Sequence, residues 1–336
     1  MFIKANMQKH CFIIAEVGIN HNGDAEIAKK MIDEAKKAGV DCVKFQTFKA
    51  KDLSADPKLK YKGQTQEKFF LRYEFSKKQW QNTINYCKKR KMIFSTTCQN
   101  PSDLDFILSL TNLPFLKVGS DDLTNLPLLR YYAKKKKPMI ISAGMAYESE
   151  IRDAVVACRK AGNNNITVLH CVSSYPAKPA EINLAKLRAI REKFRVAVGF
   201  SDHTETNYAA FAATALGANV IEKHFTLDKN MQGSDHKFSA DPAQLRDLVL
   251  GIRFIEKALG SPEMRPVPNE IKMRKIARRS IVASKDLEKG KKISLLDIEL
   301  KRPGTGLAPK FLSKVIGKKV KKNVEKGELI IFKNIT

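Results

Sequence analysis

Short apolar runs punctuate the first 260 residues at intervals of roughly 25 to 30 residues, each followed by a helical pattern. They cover residues 11–18, 41–48, 92–98, 115–120, 138–144, 166–174, 197–203 and 220–226. Short, near-continuous apolar runs of this kind suit strands of a parallel sheet, which is covered on both faces. Amphipathic helices lie between them. In Ala25–Ala38, Ile27, Met31, Ile32 and Ala35 share one face, Lys29, Lys30, Lys36 and Lys37 fall mostly outside it, and Gly39 follows as a C-cap. Residues 149–161 before Gly162 and 205–216 before Gly217 repeat the format. Eight such β-α units predict an α/β TIM (β/α)8 barrel over residues 1–260. A doubly wound open sheet is the alternative, although no G-x-G-x-x-G follows the first run.

The texture changes at Ser261-Pro262-Glu263-Met264-Arg265-Pro266-Val267-Pro268, which reads as a proline-punctuated linker over 261–277. Residues 278–336 then alternate β-like runs (280–283, 298–301, 329–332) with turns at Lys289-Gly290 and Lys326-Gly327, predicting a small, mostly β module.

Composition narrows the function classes. The 336 residues are 43% hydrophobic and 29% charged, an ordinary globular balance that excludes wholesale disorder. No apolar run approaches the ~18 residues that span a bilayer. Glu16 interrupts the apolar N-terminal stretch, so neither a signal peptide nor a membrane partner is expected, and the expected location is cytoplasmic. Cys11, Cys42, Cys87, Cys98, Cys158 and Cys171 form no C-x-x-C pair and read as small buried hydrophobes rather than a disulfide framework or zinc ribbon. The net charge of +26 is carried by lysines spread over helix-like stretches such as 88–91 and 133–137, with no nucleic-acid-binding motif. The expectation is a solvated basic surface that steers a small anionic substrate, with no nucleic-acid partner.

A TIM barrel places its chemistry at the C-terminal strand ends, so polar residues there are the candidates. Lys44 and Lys117 sit inside otherwise apolar strands, where a charge is costly without a counter-ion. A shared anion, held with Thr96, Ser120 and Ser201, is one reading; an ion pair with a nearby Glu is the other. His203 and His224 end adjacent strands and can meet at one divalent metal, with carboxylate or water filling the remaining positions. The segment Asn20-His21-Asn22-Gly23 is either part of the site or simply a turn.

Taken in order, Ala15-Glu16-Val17-Gly18-Ile19-Asn20-His21-Asn22-Gly23, Val43-Lys44-Phe45-Gln46-Thr47, Lys117-Val118-Gly119-Ser120, Gly199-Phe200-Ser201-Asp202-His203-Thr204 and Ile221-Glu222-Lys223-His224-Phe225 resemble the bacterial sialic acid synthase family. That family includes N-acetylneuraminate, legionaminate and pseudaminate synthases. Residues 279–332, with Lys301-Arg302-Pro303-Gly304, resemble its antifreeze-like (SAF) domain. The resemblance implies condensation of phosphoenolpyruvate with an N-acetylmannosamine-type sugar, giving a nonulosonic acid and phosphate. N-acetylneuraminate synthesis is the first expectation; legionaminate or pseudaminate synthesis from a 2,4-diacetamido-2,4,6-trideoxyhexose is the second. It further implies a divalent metal, Mn²⁺ or else Mg²⁺ or Co²⁺, on His203 and His224.

By the same resemblance Lys44, Thr96, Lys117, Ser120, Ser173 and Ser201 hold phosphoenolpyruvate. Glu16, Gln46, Tyr175, Asp235 and Arg302 face the sugar, and Glu16 and Asp122 are the catalytic carboxylates. Arg302 is expected from the other protomer of a domain-swapped homodimer. Two positions depart from the family pattern: Asp122 stands where a Glu is common, and Ser173 where an Asn is common. A Schiff-base pyruvate aldolase using Lys44 or Lys117, and a polyanion-binding protein, are the competing readings.

Overall fold

The computed structural model describes residues 10–336. The first nine, which form part of the stretch read for a signal peptide, lie outside the described residues. The chain separates at Gly260 into two compact units.

In the first unit all eight expected strands form: β1 (Phe12–Gly18), β2 (Cys42–Thr47), β3 (Ile93–Cys98), β4 (Leu116–Val118), β5 (Met139–Ser142), β6 (Ile166–Cys171), β7 (Ala197–Asp202) and β8 (Val220–His224). All pair in parallel, each with its neighbours in sequence, and β8 closes on β1. This is the TIM barrel; the open-sheet alternative falls because β1 and β8 share a ladder, Ile14 opposite Glu222. Helix α1 (Ala25–Ala38) shows how locally the format is written. The Asp24 side chain accepts the Glu26 N–H at its start, and Gly39, at φ 89°, ends it in the left-handed conformation.

Strand alternation divides the side chains between two cores. Outward residues such as Ile13, Val43, Phe45, Leu116, Ile141, Val198 and Ile221 pack under the helices, with Met31, Ile32, Leu129, Leu245 and Leu248. Each fully buried side chain of this kind contributes about 1.5–3 kcal/mol. Inward residues near the N-terminal strand ends form a separate apolar plug: Phe12, Ile14, Cys42, Phe115, Ile140, Leu169 and Val220, with Ile93 against them.

The second unit has its own core, including Ile281, Leu287, Ile293, Val315, Val320, Val324, Ile330 and Ile335. Strands β9 (Ser280–Ala283) and β10 (Ile298–Lys301) pair antiparallel. The third expected run supplies a single bridge, Leu329 to Val282, before a 3-10 turn at Phe332–Asn334. The stretch expected as a linker contains a helix, Pro268–Ala277, with Pro268 at its first turn and no buried residue.

Candidate active site

The plug determines where the pocket begins. Moving two residues toward the C-terminal end of each strand replaces the plug residues by Glu16, Lys44, Ser95, Lys117, Ser142, Cys171, Ser201 and Glu222. Two residues further come Gly18, Gln46, Thr97, Gly119, Gly144, Ser173, His203 and His224. Most of these polar residues line one cavity of about 940 Å³, with Ser120, Asp121, Tyr175, Asp235 and Phe238 contributed by the loops. Gly144 leaves room there: a Cβ at 144 would lie 2.3 Å from Ser173 Oγ and 2.7 Å from Ser120 Oγ.

The two strand lysines are 3% exposed and meet two glutamates. Lys44 Nζ lies 2.7 Å from Glu16 Oε2 and 3.7 Å from Glu222 Oε2, and donates to Thr97 Oγ1 at 3.0 Å. Lys117 Nζ lies 3.8 Å from Glu222 Oε1 and donates to Ser142 Oγ at 2.7 Å and to the Val118 carbonyl at 3.0 Å. The ion-pair reading of the lysines is therefore realised, but inside a cavity rather than in a sealed core.

Burial works against the charge on Lys44, yet Glu16 and Glu222 outweigh it and hold its pKa above the ordinary lysine value. Burial prevails at Lys117 and lowers its pKa despite Glu222. Glu222 is also penalised by burial, but Lys117, Lys44 and His224 together hold its carboxyl below the usual range. Glu16 goes the other way: burial pushes its carboxyl up in spite of Lys44. Gln46 Nε2 donates to Glu16 Oε1 at 3.0 Å.

The rings of His203 and His224 lie 5.7 Å apart, with Tyr175 4.2 Å from His203 and Phe238 5.3 Å from His224. Burial disfavours the charged form of both imidazoles, lowering the pKa of His203 to about 4. His203 donates Nδ1–H to the Val172 carbonyl at 2.6 Å, which fixes its tautomer and leaves Nε2 with a lone pair. His224 Nδ1 is buried with no hydrogen-bond partner among the described residues. Imidazoles that favour the neutral form, with His224 Nδ1 unpartnered among the described residues and His203 Nε2 3.2 Å from Ser201 Oγ, fit a metal. They stand as a pair: among the described residues no cluster of three or more His, Cys, Asp or Glu is set to hold an ion. On the outer face, Lys223 Nζ donates to Asp202 Oδ2 at 2.8 Å and ties the ends of β7 and β8 that carry the histidines.

Glu16, Lys44, Gln46, Lys117, Ser120, Ser173, Tyr175, Ser201, His203, His224 and Asp235 all line the cavity. Three expected residues do not: Thr96, Asp122 and Arg302. Thr96 shares the outward face with Phe45, its register partner, and its hydroxyl lies 2.8 Å from Thr47 Oγ1; the hydroxyl that meets Lys44 belongs to Thr97. Asp122 is turned away by the bend in which its N–H bonds the Gly119 carbonyl, and its carboxylate accepts from Asn125 Nδ2 at 2.9 Å. Asp121 takes the place in the wall. Arg302 belongs to the second unit, where it is exposed. Glu222 was missed as a site residue, though its spacing from His224 places both on one strand face.

No helix among the described residues is long and apolar enough to cross a membrane. Residues 31–264 match the NeuB family, and residues 278–336 match the SAF domain. The chain is 40% identical to the N,N'-diacetyllegionaminic acid synthase of Campylobacter jejuni, over 96% of this chain and 99% of that one. It is 36% identical to the N-acetylneuraminate-9-phosphate synthase of Homo sapiens, over 96% and 92%. The crystal structure of N-acetylneuraminic acid synthetase from Leptospira borgpetersenii superposes with a TM-score of 0.73 at 33% identity, covering 79% of this chain and 90% of that one. A closed barrel with paired lysines and imidazoles at its C-terminal mouth and the match over most of its length lead to one conclusion: the chain is an enzyme of the NeuB family of synthases, with a SAF domain after its barrel.

Proposed function

We propose that the enzyme condenses phosphoenolpyruvate with an N-acetylated, mannosamine-type sugar to give a nonulosonic acid and inorganic phosphate. The observation that carries this reading is the pairing of Lys44 and Lys117 beneath His203 and His224 in one cavity. Two ammonium groups with the hydroxyls of Thr97, Ser120, Ser142 and Ser201 suit a small polyanion bearing phosphate and carboxylate. Binding such an anion pulls the lysines away from Glu16 and Glu222, which now neutralise them.

The methylene carbon of phosphoenolpyruvate forms a bond to the sugar's aldehyde carbon, and the aldehyde oxygen takes up a proton. Water adds to the electron-poor enol-ether carbon and loses a proton. The tetrahedral product then collapses to the 2-keto acid, breaking the C–O bond and releasing phosphate. Lys44 and Lys117 orient the anion and balance its charge. Glu16, with its carboxyl pushed up by burial, is suited to exchange a proton near neutral pH. Tyr175 and Phe238 present rings to the sugar, and Gln46 and Asp235 its polar partners. His203 and His224 would hold a divalent metal, Mn²⁺ or else Mg²⁺ or Co²⁺, which would supply Lewis-acid polarisation of a carbonyl there.

The acceptor is either N-acetylmannosamine or a 2,4-diacetamido-2,4,6-trideoxyhexose. The second is supported by the two diacetyllegionaminic acid synthases, at 39% and 40% identity. Phosphate release from phosphoenolpyruvate with each sugar in turn, with Mn²⁺ present, tests the reading. Turnover with one of them, lost on chelation and restored by metal, is the expected outcome; no turnover with any such sugar rejects it. The resemblance also supports a domain-swapped homodimer in which Arg302 reaches the sugar bound by the other copy. Mixing inactive Arg302→Ala and Lys117→Ala proteins then restores activity.

A further inference from the structure

The turn Asn20-His21-Asn22 after β1 takes no part in the chemistry above, yet its two amides reach across to the loop that follows β8. Asn20 Nδ2 donates to the Phe225 carbonyl and to Ser239 Oγ, both at 2.9 Å. Ser239 Oγ passes its own hydrogen to the Asp235 carbonyl. Asn22 Nδ2 donates to the Gln232 carbonyl at 2.9 Å. Asn22 Oδ1 accepts from His236 Nε2 at 3.2 Å, and His236 Nδ1 accepts from Thr226 Oγ1 at 2.7 Å.

The loop is thus tied at 232, 235, 236 and 239. Within it Ser234, Asp235, Lys237 and Phe238 line the cavity, Asp235 being tied through its backbone carbonyl. Space is tight at the ties. Gly233 has φ 156°, and a Cβ there would lie 2.5 Å from the His236 ring. Asn22 sits at φ 53°, a left-handed conformation that Asn and Gly tolerate best. His236 and Ser239 are buried while Gln232 and Lys237 are exposed, so the ties at 236 and 239 are internal and the one at 232 lies at the surface.

We propose that Asn20 and Asn22 are positioning residues for the acceptor sugar: they hold residues 232–239 in the arrangement that presents Asp235 and Phe238 to the cavity. None of these bonds goes to Lys44, Lys117, His203 or His224, so the clasp acts on one substrate and not the other. The inference rests on the reading that the sugar lies against Asp235.

The test uses Asn22→Gly, which keeps the left-handed backbone and deletes both side-chain bonds. Asn22→Asp keeps the acceptor and loses the donor. Gly233→Ala crowds His236 without touching either asparagine. Hydrogen–deuterium exchange across 228–239 is measured with steady-state kinetics for both substrates. In Asn22→Gly, loop exchange accelerates about tenfold and the sugar KM rises roughly tenfold, the scale of one or two lost hydrogen bonds. The phosphoenolpyruvate KM stays within about twofold, Asn22→Asp is intermediate, and Gly233→Ala follows Asn22→Gly. Unchanged loop exchange overturns the clasp. Faster exchange with an unchanged sugar KM, or an equal rise in both KM values, overturns its role toward the sugar. If the parent enzyme turns over no such sugar, the function proposed above fails, while the exchange experiment still decides whether the clasp exists.

Discussion

Each unit buries a carboxylate held below its usual pKa range, and the two are treated differently. In the second unit Asp297 accepts from Ser294 Oγ at 2.7 Å and from Ser294 N–H at 2.8 Å, and pairs with Lys285 and Lys291 at 3.0 and 3.1 Å. Both lysines are partly exposed, 53% and 39%, so their charge remains hydrated. In the barrel, Glu222 faces Lys44 and Lys117 at 3.7 and 3.8 Å, beyond hydrogen-bond reach, and its Oε2 has no hydrogen-bond partner among the described residues. Asp297 is satisfied and stabilises a fold. Glu222 is balanced but left short of partners, beside cations that open onto a cavity, which is the condition expected of groups awaiting a ligand.

That contrast can be broken most decisively at Lys117. Lys117→Ala lowers kcat/KM for phosphoenolpyruvate by about 10²–10³, the scale of removing one partner from a buried hydrogen-bonded charge pair. Steady-state kinetics check this, and a value within threefold of the parent would make the barrel cluster structural like its counterpart. Asp297→Ala destabilises the second unit by about 1–2 kcal/mol through the lost Ser294 bonds, read by denaturant unfolding. The sign with pH comes from the depressed carboxyl. Its stabilisation is complete above the unfolded-state pKa of about 3.9 and disappears as pH falls through the lower folded value. Asp297→Asn flattens that acid limb; an unaltered limb means the pairing contributes nothing.

Smaller effects separate the two faces of β3. Thr97→Val removes the hydroxyl beside Lys44 and raises the phosphoenolpyruvate KM about fivefold, whereas Thr96→Val leaves it unchanged and costs about 1 kcal/mol of stability. Equal KM values for the two variants would contradict the assigned faces. Asp122→Asn has the least effect. Burial raises this carboxyl, so the fold disfavours its charge, and the neutral amide keeps the acceptor for Asn125. Activity within about twofold, with a melting temperature equal or slightly higher, is the expected result.

The barrel was legible because its evidence is periodic: each apolar run, with a helix and often a glycine stop behind it, marks one strand. The lysines and histidines were legible as cavity residues because ammonium and imidazole side chains at strand ends contradict the apolar texture around them. Thr96 was misplaced because Ser95-Thr96-Thr97 offers three adjacent hydroxyls, and only the register with Lys44 and Gln46 decides which ones face inward. Asp122 was misplaced because alternation stops where a strand ends, and the bend at Gly119 re-aims the side chains beyond it. The ties from Asn20 and Asn22 were invisible for another reason. They join residues more than 200 positions apart through side chains that local pattern explains equally well as a turn.

The apolar plug of Phe12, Ile14, Cys42, Phe115, Ile140, Leu169 and Val220 makes the interior a dead-end shaft. With its bottom stoppered, the shaft among the described residues opens at the C-terminal strand ends. In the proposed reaction the anion on the lysines lies below the sugar beside the imidazoles, so the deeper guest would enter first. A queue of that kind would be set by the eight strands before any loop moves.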